Sequence, residues 1–126
     1  MDIDTIYRDE VFSISTTASI AEAAFQMRAN DVSSLMVLDD DACVGIITER
    51  DLTRAIVTGT SLETARVSEF MTDRPIFVTP RTGVRETAAE MLETEVRHLP
   101  VEVKGKLVGM ISLRDLLNVV VEDESL

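Results

Sequence analysis

Hydrophobic and polar residues alternate along residues 11–15, a pattern that predicts a short strand with one buried face. Ser19 follows, with Glu22 three positions later, which predicts a capping box at the start of a helix. The helix itself is predicted from apolar residues that recur at three- and four-residue spacing and share one face, namely Ile20, Ala23, Ala24 and Met27.

Two short apolar runs, residues 35–38 and 43–47, come next and predict two strands. The three consecutive aspartates of residues 39–41 predict a tight turn between them. A second helix follows, and its apolar spacing predicts that Leu52, Ala55 and Ile56 face inward. The predicted order of elements is therefore β-α-β-β-α.

The same order recurs in the second half of the chain without a gap. Residues 45–52, GIITERDL, return as residues 109–116, GMISLRDL, a shift of 64 positions. The strands of this second copy are predicted at residues 75–79, 99–103 and 107–111. Its two helices show the same apolar spacing, first at Val84, Thr87, Ala88 and Met91 and then at Leu113, Leu116, Leu117 and Val120. Such an internal repeat indicates one structural unit built twice.

The repeat predicts three segments. Residues 1–58 form a first unit with an N-terminal extension, residues 59–74 form a linker, and residues 75–126 form a second unit. Gly59 at the start of the linker suits the end of a helix. One copy buries too little apolar surface to be stable alone, so the two copies are expected to share a core.

The chain of 126 residues carries 23 acidic and 12 basic residues, a net charge of −11. Such a surface repels nucleic acid and anionic membranes, and aromatic residues, at 4%, are too few for stacking on bases. No apolar run is long enough to span a membrane. The single cysteine, Cys43, cannot form an internal disulfide and is predicted to fill core space, which favours a cytoplasmic location.

Several kinds of active site lack their signature residues in this sequence. One histidine and one cysteine are too few for a zinc site, and no glycine-rich phosphate loop with its lysine occurs. The aspartates of residues 39–41 lack the alternating spacing of a calcium loop and are expected to be solvated. We therefore expect no metal, no catalytic cofactor and no enzymatic activity.

Thr48 and Ser112 each stand at a predicted helix start, with Asp51 and Asp115 three positions later. One interpretation is a capping box, which stabilises a helix by about 1 kcal/mol and needs no ligand. The other is a ligand site, because a helix N-terminus favours phosphate and a carboxylate accepts hydrogen bonds from two neighbouring ribose hydroxyls. The two interpretations are compatible.

These features together resemble a tandem pair of CBS domains, named after cystathionine β-synthase. The resemblance rests on the doubled β-α-β-β-α order, on a Gly-apolar-apolar-Thr/Ser-x-x-Asp motif in each copy, and on residues 67–71 (VSEFM) and 97–101 (RHLPV). It implies an α+β fold with two units packed about a pseudo-twofold axis. It also implies clefts that bind AMP, ADP, ATP or S-adenosylmethionine as a regulatory ligand, a homodimer, and a role in regulating another protein.

The resemblance assigns roles to the motif residues. It places Asp51 and Asp115 on ribose hydroxyls, and Thr48 and Ser112 on ribose or phosphate. Together with the repeat, it favours the ligand interpretation for both aspartates. The alternative function belongs to a different class, a ligand-free module that serves dimerisation or interaction through its helices.

Further residues of the resemblance lie outside the motif. Arg97 and His98 stand at a strand start where family members bind phosphate, although solvated side chains are the alternative. The first copy has serines there, so two unequal ligand sites are expected. Arg114 is expected either near phosphate or in a surface ion pair. Thr16 and Thr79 are expected either near adenine or phosphate, or in turns and caps.

Overall fold

The computed structural model describes residues 1–123, which divide into two compact units. The central unit comprises Phe12–Pro75, and the terminal unit comprises Met1–Val11 together with the chain from Ile76 onward. Both units combine strands with helices, so the α+β class predicted from the sequence is confirmed. The last three residues of the predicted second unit lie outside the described part of the chain.

The central unit contains a four-stranded sheet with its helices. Its elements in chain order are β1 (Ser13–Ser15), α1 (Ile20–Asn30), β2 (Ser34–Asp39), β3 (Ala42–Thr48), α2 (Glu49–Val57), α3 (Val67–Phe70) and β4 (Thr72–Asp73). The sheet order is β1-β2-β3-β4, with β1 parallel to β2 and the other pairs antiparallel. The first five elements follow the β-α-β-β-α order predicted for the first copy.

The terminal unit repeats this plan, but the pairing at both edges of its sheet is reduced to single bridges. Its elements are α4 (Val84–Thr94), β5 (His98–Val103), β6 (Lys106–Ser112) and α5 (Leu113–Glu122). β5 and β6 pair antiparallel, with His98 opposite Ser112. A single parallel bridge from Val78 to Val101 stands where β1 stands in the central unit, so the strand predicted at residues 75–79 is reduced to one pair.

The first residues of the chain complete the terminal unit. Ile3 is fully buried in its core, and the Ile3 amide donates to the carbonyl of Thr82 at 3.0 Å. Arg8 and Met110 exchange two backbone hydrogen bonds of 2.9 and 2.8 Å, which adds an edge to β6. Met1–Val11 therefore packs with the second copy of the repeat, which differs from the predicted extension of the first copy.

The segment predicted as a linker, residues 59–74, is part of the central unit. Ala65 and Val67 are buried in its core, and both α3 and β4 lie in this segment. β4 pairs with β3 in the central unit, as Arg8 pairs with β6 in the terminal unit. The two segments pack with these units because each buries an apolar side chain there. Ile3 and Val67, which stand 64 positions apart and so correspond in the repeat, each fill the core of their unit.

Gly45 and Gly109, the glycines of the repeated motif, allow these edge segments to approach the sheets closely. A Cβ atom at Gly45 would lie 2.7 Å from the sulfur of Met71 and 2.8 Å from the carbonyl oxygen of Thr72. A Cβ atom at Gly109 would overlap the carbonyl oxygen of Arg8. Backbone packing alone therefore requires a glycine at this position of the motif.

α1 begins at the predicted cap. Ser19 Oγ accepts the amide of Glu22 at 3.1 Å, while the Glu22 carboxylate accepts Gln26 Nε2 at 3.1 Å. The serine half of the predicted capping box is therefore formed. The residues of α1 that are buried as predicted are Ile20, Ala23 and Met27, whereas Ala24 is exposed.

The inward face predicted for α2 and α5 is too wide. Ala55 and Leu116 are buried as predicted. Ile56 is 62% exposed, Leu117 52% and Val120 44%, so the prediction that these three face inward is wrong. Each helix packs on its own unit through a narrow stripe, and apolar spacing in the sequence does not show how wide that stripe is.

The hairpin turns between paired strands contain residues in the left-handed backbone region. Asp40 has a φ of 55°, and Lys104 and Gly105 have φ values of 53° and 77°. The aspartates of residues 39–41 are exposed, as expected. Within residues 1–123, no group of His, Cys, Asp or Glu side chains could hold a metal ion. No helix in the same range is long and apolar enough to cross a membrane.

Candidate functional site

Asp51 and Asp115 occupy the third position of α2 and α5, directly after the ends of β3 and β6. They are almost completely buried, with 5% and 6% of each residue exposed. A buried carboxylate loses its hydration and needs hydrogen-bond donors in its place. The donors around each carboxylate therefore decide what it can still bind.

Asp51 is held by two residues of its own unit. Its Oδ2 atom accepts the Thr48 amide at 2.9 Å and the Thr48 hydroxyl at 3.2 Å, and its Oδ1 atom accepts Arg54 Nη2 at 3.0 Å. A carboxylate offers about four acceptor positions, so three of them are filled. Because a carboxylate only accepts, the Thr48 hydroxyl is the donor, and its proton is used inside the cap.

Asp115 is held differently, although its motif is the same. Its Oδ2 atom accepts the Ser112 amide at 2.9 Å, and its Oδ1 atom accepts Arg8 Nε at 3.2 Å. The Ser112 hydroxyl accepts the Asp115 amide at 3.0 Å, so its own proton remains available for another acceptor. Within residues 1–123, the Asp115 carboxylate accepts these two hydrogen bonds only, which leaves about two acceptor positions open.

The two arginines at these carboxylates come from non-equivalent positions of the repeat. Arg54 lies on α2 itself, and the residue 64 positions later is Asn118. Arg8 lies on the edge segment beside β6, and the residue 64 positions later is Thr72. Sequence reasoning missed both arginines. The three-residue spacing on α2 is a local signal for the first pair, whereas nothing local links Arg8 to Asp115 across 107 positions.

Arg54 is anchored by further contacts. Its Nη2 atom also donates to the carbonyl of Phe70 at 2.7 Å, and its guanidinium carbon lies 6.0 Å from the centroid of the Phe70 ring. Arg54 therefore ties α2 to the end of α3 as well as to Asp51. Arg8, within the described residues, uses only its Nε atom, and its side chain is 68% exposed.

The structure brings Arg97 and His98 to the start of α5. His98 lies opposite Ser112 in the pairing of β5 with β6, and the Arg97 carbonyl accepts the amide of Leu113 at 2.8 Å. Arg97 is exposed and His98 is half-buried. The two predicted phosphate residues and the motif residues Ser112 and Asp115 thus belong to one corner of the terminal unit.

The remaining predicted site residues are less closely connected to this corner. Arg114 is exposed on α5, beside Asp115 in sequence. Thr79 makes a turn, since its Oγ1 atom accepts the Arg81 amide at 3.2 Å, which is the alternative raised from the sequence. Thr16 is half-buried in the central unit, and its amide donates to the carbonyl of Leu38 at 3.1 Å.

An open depression of about 640 Å³ runs along the N-terminal segment of the terminal unit, lined by Asp4, Tyr7, Arg8, Asp9 and Glu10. Three carboxylates face one guanidinium in this lining, so its net charge is negative. An anion is attracted here only close to Arg8, because the surrounding carboxylates repel it. The local cation, rather than the overall charge, therefore controls anion binding at this surface.

Cys43 lies half-buried in β3, with its Sγ atom 3.7 Å from the carbonyl oxygen of Gly45. Burial raises the pKa of the Cys43 thiol above its ordinary value of 9.0. The thiol is therefore protonated at neutral pH and a poor nucleophile.

Comparison with known proteins places this geometry in a family. The family model of the CBS domain matches the sequence of this chain twice, over residues 3–58 and 67–122. An uncharacterized 17.7 kDa protein of Acidianus ambivalens is 36% identical over 116 residues, which cover 90% of this chain and 70% of that protein. Several further relatives are longer proteins, and this chain spans only between 20 and 68% of their length.

Solved structures share the fold. A CBS-domain containing protein of Agrobacterium tumefaciens is 28% identical with a TM-score of 0.91, covering 95% of this chain and 99% of that chain. The CBS domain pair of protein MJ0100, solved in complex with 5′-methylthioadenosine and S-adenosyl-L-methionine, is 22% identical with a TM-score of 0.86. It covers 95% of this chain and 99% of that chain.

Proposed function

The chain belongs to the CBS domain family, and on that premise we propose that it is a non-catalytic regulatory module that binds an adenosine-containing ligand. AMP, ADP, ATP and S-adenosylmethionine are the candidate ligands. A ligand that binds one arrangement of the protein better than another shifts the population, and with it the affinity for a regulated partner protein. The net charge of −11 makes a nucleic acid or an anionic membrane an unfavourable partner.

The observation that carries the proposal is the arrangement at the start of α5. Asp115 is buried and keeps acceptor positions open, while the Ser112 hydroxyl keeps its proton. Two neighbouring ribose hydroxyls are two donors, and a ribose or phosphate oxygen is an acceptor, so a nucleoside complements this set. The partial positive charge at the start of α5 favours a phosphate.

Two neighbouring residues and one relative of this fold support the proposal. Arg97 and His98 border Ser112, and we assign them to phosphate. The structure of protein MJ0100, which has the same fold, holds two adenosine compounds. Arg114, Thr16 and Thr79 are proposed as peripheral contacts only, because hydrogen bonds inside the protein already occupy part of the two threonines.

We further propose that the two motif aspartates contribute unequally. Asp51 has three of its acceptor positions filled, and the Thr48 hydroxyl that would meet a ligand is used inside the cap. Ribose binding at Asp51 must therefore break an existing hydrogen bond, whereas ribose binding at Asp115 need not. The tighter ligand site is expected at Asp115.

Self-association into a homodimer is part of the proposal. Large apolar residues are exposed on the helices of both units, namely Phe25, Ile56, Val57, Leu92, Leu117, Val120 and Val121. Ile56 and Val57 correspond through the repeat to Val120 and Val121, so the two units present similar apolar surfaces. A second copy of the chain offers the same surfaces in return, which is the requirement for a symmetric interface.

Isothermal titration calorimetry with AMP, ATP and S-adenosylmethionine tests the ligand proposal. Binding is expected with at least one of the three, and mass spectrometry of ligand that co-purifies with the protein identifies the compound independently. No heat with any of them, at millimolar ligand and in high salt, would refute nucleotide binding. A ligand-free interaction module would then be the remaining function.

A further inference from the structure

We infer that Arg8 contacts the ligand at Asp115 and makes this site selective for adenosine compounds that carry a phosphate. The inference rests on the proposed function and deepens it, because it names the ligand class of one site. Arg8 lies outside the repeated motif and 107 positions from Asp115, and only the fold brings the two side chains together.

The guanidinium of Arg8 is only partly used. Its Nε atom donates to Asp115 Oδ1 at 3.2 Å, and within residues 1–123 its two Nη atoms make no hydrogen bond. An arginine presents its N–H groups as a planar fork, and two parallel N–H groups match two oxygens of a phosphate. Arg8 can therefore hold Asp115 through Nε and a phosphate through Nη at the same time, without breaking the existing pair.

The base of this side chain is fixed in place. Arg8 and Met110 exchange two backbone hydrogen bonds, and Gly109 leaves the room that this approach requires. The Nε contact with a buried carboxylate restrains the far end of the side chain as well. A donor held at both ends loses little conformational entropy when it binds a ligand, so more of its interaction energy appears as affinity.

Arg54 does not offer the same chemistry at Asp51. Its Nη2 atom, at the tip of the fork, already donates to both Asp51 and the carbonyl of Phe70. One of the two Nη atoms at the tip is therefore used to hold α2 against the end of α3, so Arg54 cannot offer both Nη atoms to a phosphate without breaking a bond. The two sites differ in their cation, and the difference favours phosphate at Asp115.

Charge also separates the candidate ligands. S-adenosylmethionine has a net positive charge, since its sulfonium and ammonium groups outweigh its one carboxylate, whereas AMP carries a phosphate, which Arg8 attracts more strongly. The nearby carboxylates of Asp4, Asp9 and Glu10 act in the opposite direction, but they are exposed to water, which weakens their effect on the ligand. The contact with Arg8 is direct and is screened less.

Calorimetric titration of the full chain with AMP and with adenosine tests the inference, in wild type and in Arg8→Gln. The wild type is expected to bind AMP about tenfold or more tightly than adenosine, because of the charge-assisted bond to phosphate. Arg8→Gln is expected to lower this AMP-to-adenosine affinity ratio by about fivefold or more by weakening AMP alone, and the preference that remains comes from Arg97, His98 and the start of α5. Arg85→Gln, at an exposed arginine on α4, is the charge-matched control and keeps the wild-type ratio.

Circular dichroism establishes that each variant is folded. If Arg8→Gln does not fold, Arg8→Lys decides, since lysine keeps the charge but lacks the fork, and AMP is then expected to weaken about threefold with adenosine unchanged. Equal weakening of AMP and adenosine would mean that Arg8 only supports Asp115, and unchanged affinities for both compounds would mean that Arg8 does not contact the ligand. Either result overturns the inference. A wild type that binds neither compound refutes the proposed function itself.

Discussion

The Thr48 hydroxyl donates to the Asp51 carboxylate at 3.2 Å. In the other copy of the motif the hydroxyl is an acceptor instead, because Ser112 Oγ accepts a hydrogen bond from the Asp115 amide at 3.0 Å. Two caps that read alike in sequence therefore differ in what they leave available. The first is satisfied internally, and the second retains a donor and open acceptor positions for a ligand.

Matched amide substitutions separate capping from ligand binding. Asp115→Asn is expected to weaken AMP binding by about tenfold or more, because the amide replaces an acceptor with a donor facing the ribose hydroxyls. Asp51→Asn is expected to change AMP affinity less than about threefold, although each variant loses about 1 kcal/mol of stability through its weakened cap. Calorimetry and urea unfolding measure the two effects. Equal losses of affinity in both variants would contradict the unequal sites.

The motif glycine of the terminal unit is predicted to be a packing requirement. Gly109→Ala places a methyl group against the backbone carbonyl of Arg8, and backbone cannot yield as a side chain can. We expect a loss of about 2 kcal/mol or more, as for other overpacked sites. The control is Gly59→Ala, where nothing lies within 4 Å but φ is 74°, so a loss of about 1 kcal/mol is expected. Thermal unfolding that ranks the two variants the other way would contradict this account.

The buried thiol of Cys43 predicts a specific pH dependence. Burial raises the pKa of Cys43 above 9.0 in the folded state, so the unfolded chain loses this proton first as pH rises. The contribution of Cys43 to stability is therefore present below pH 9.0 and is lost as pH rises through the folded-state pKa. Urea unfolding across the alkaline range should show a steeper loss for wild type than for Cys43→Ala. Identical slopes would contradict the prediction.

The exposed apolar helix surface predicts how self-association can be disrupted. Val121 on α5 is 80% exposed, and Val121→Glu should convert dimer to monomer at micromolar protein by burying a charge in the interface. Val103 at the end of β5 is also exposed, at 40%, but lies outside the helices, so Val103→Glu is the matched control. Analytical ultracentrifugation measures both. A Val121→Glu protein that remains dimeric would place the interface elsewhere.

The sequence by itself determined the doubled element order and the placement of the motif aspartates at two helix starts. Both follow from local rules, since apolar spacing and cap residues act within a few positions of the chain. The same local rules failed for Ile56, Leu117 and Val120, because spacing shows which residues share a face but not how much of that face is covered.

Only the tertiary structure decided which residues surround each aspartate. Met1–Val11 packs with the second copy because Ile3 fills its core, and this brings Arg8 onto Asp115 from 107 positions away. Arg54 contacts Asp51 within α2 and also donates a hydrogen bond to the carbonyl of Phe70, which lies on a different helix. Local pattern cannot reveal such partners, since burial of apolar side chains depends on the whole chain and sets the polar neighbours as a consequence.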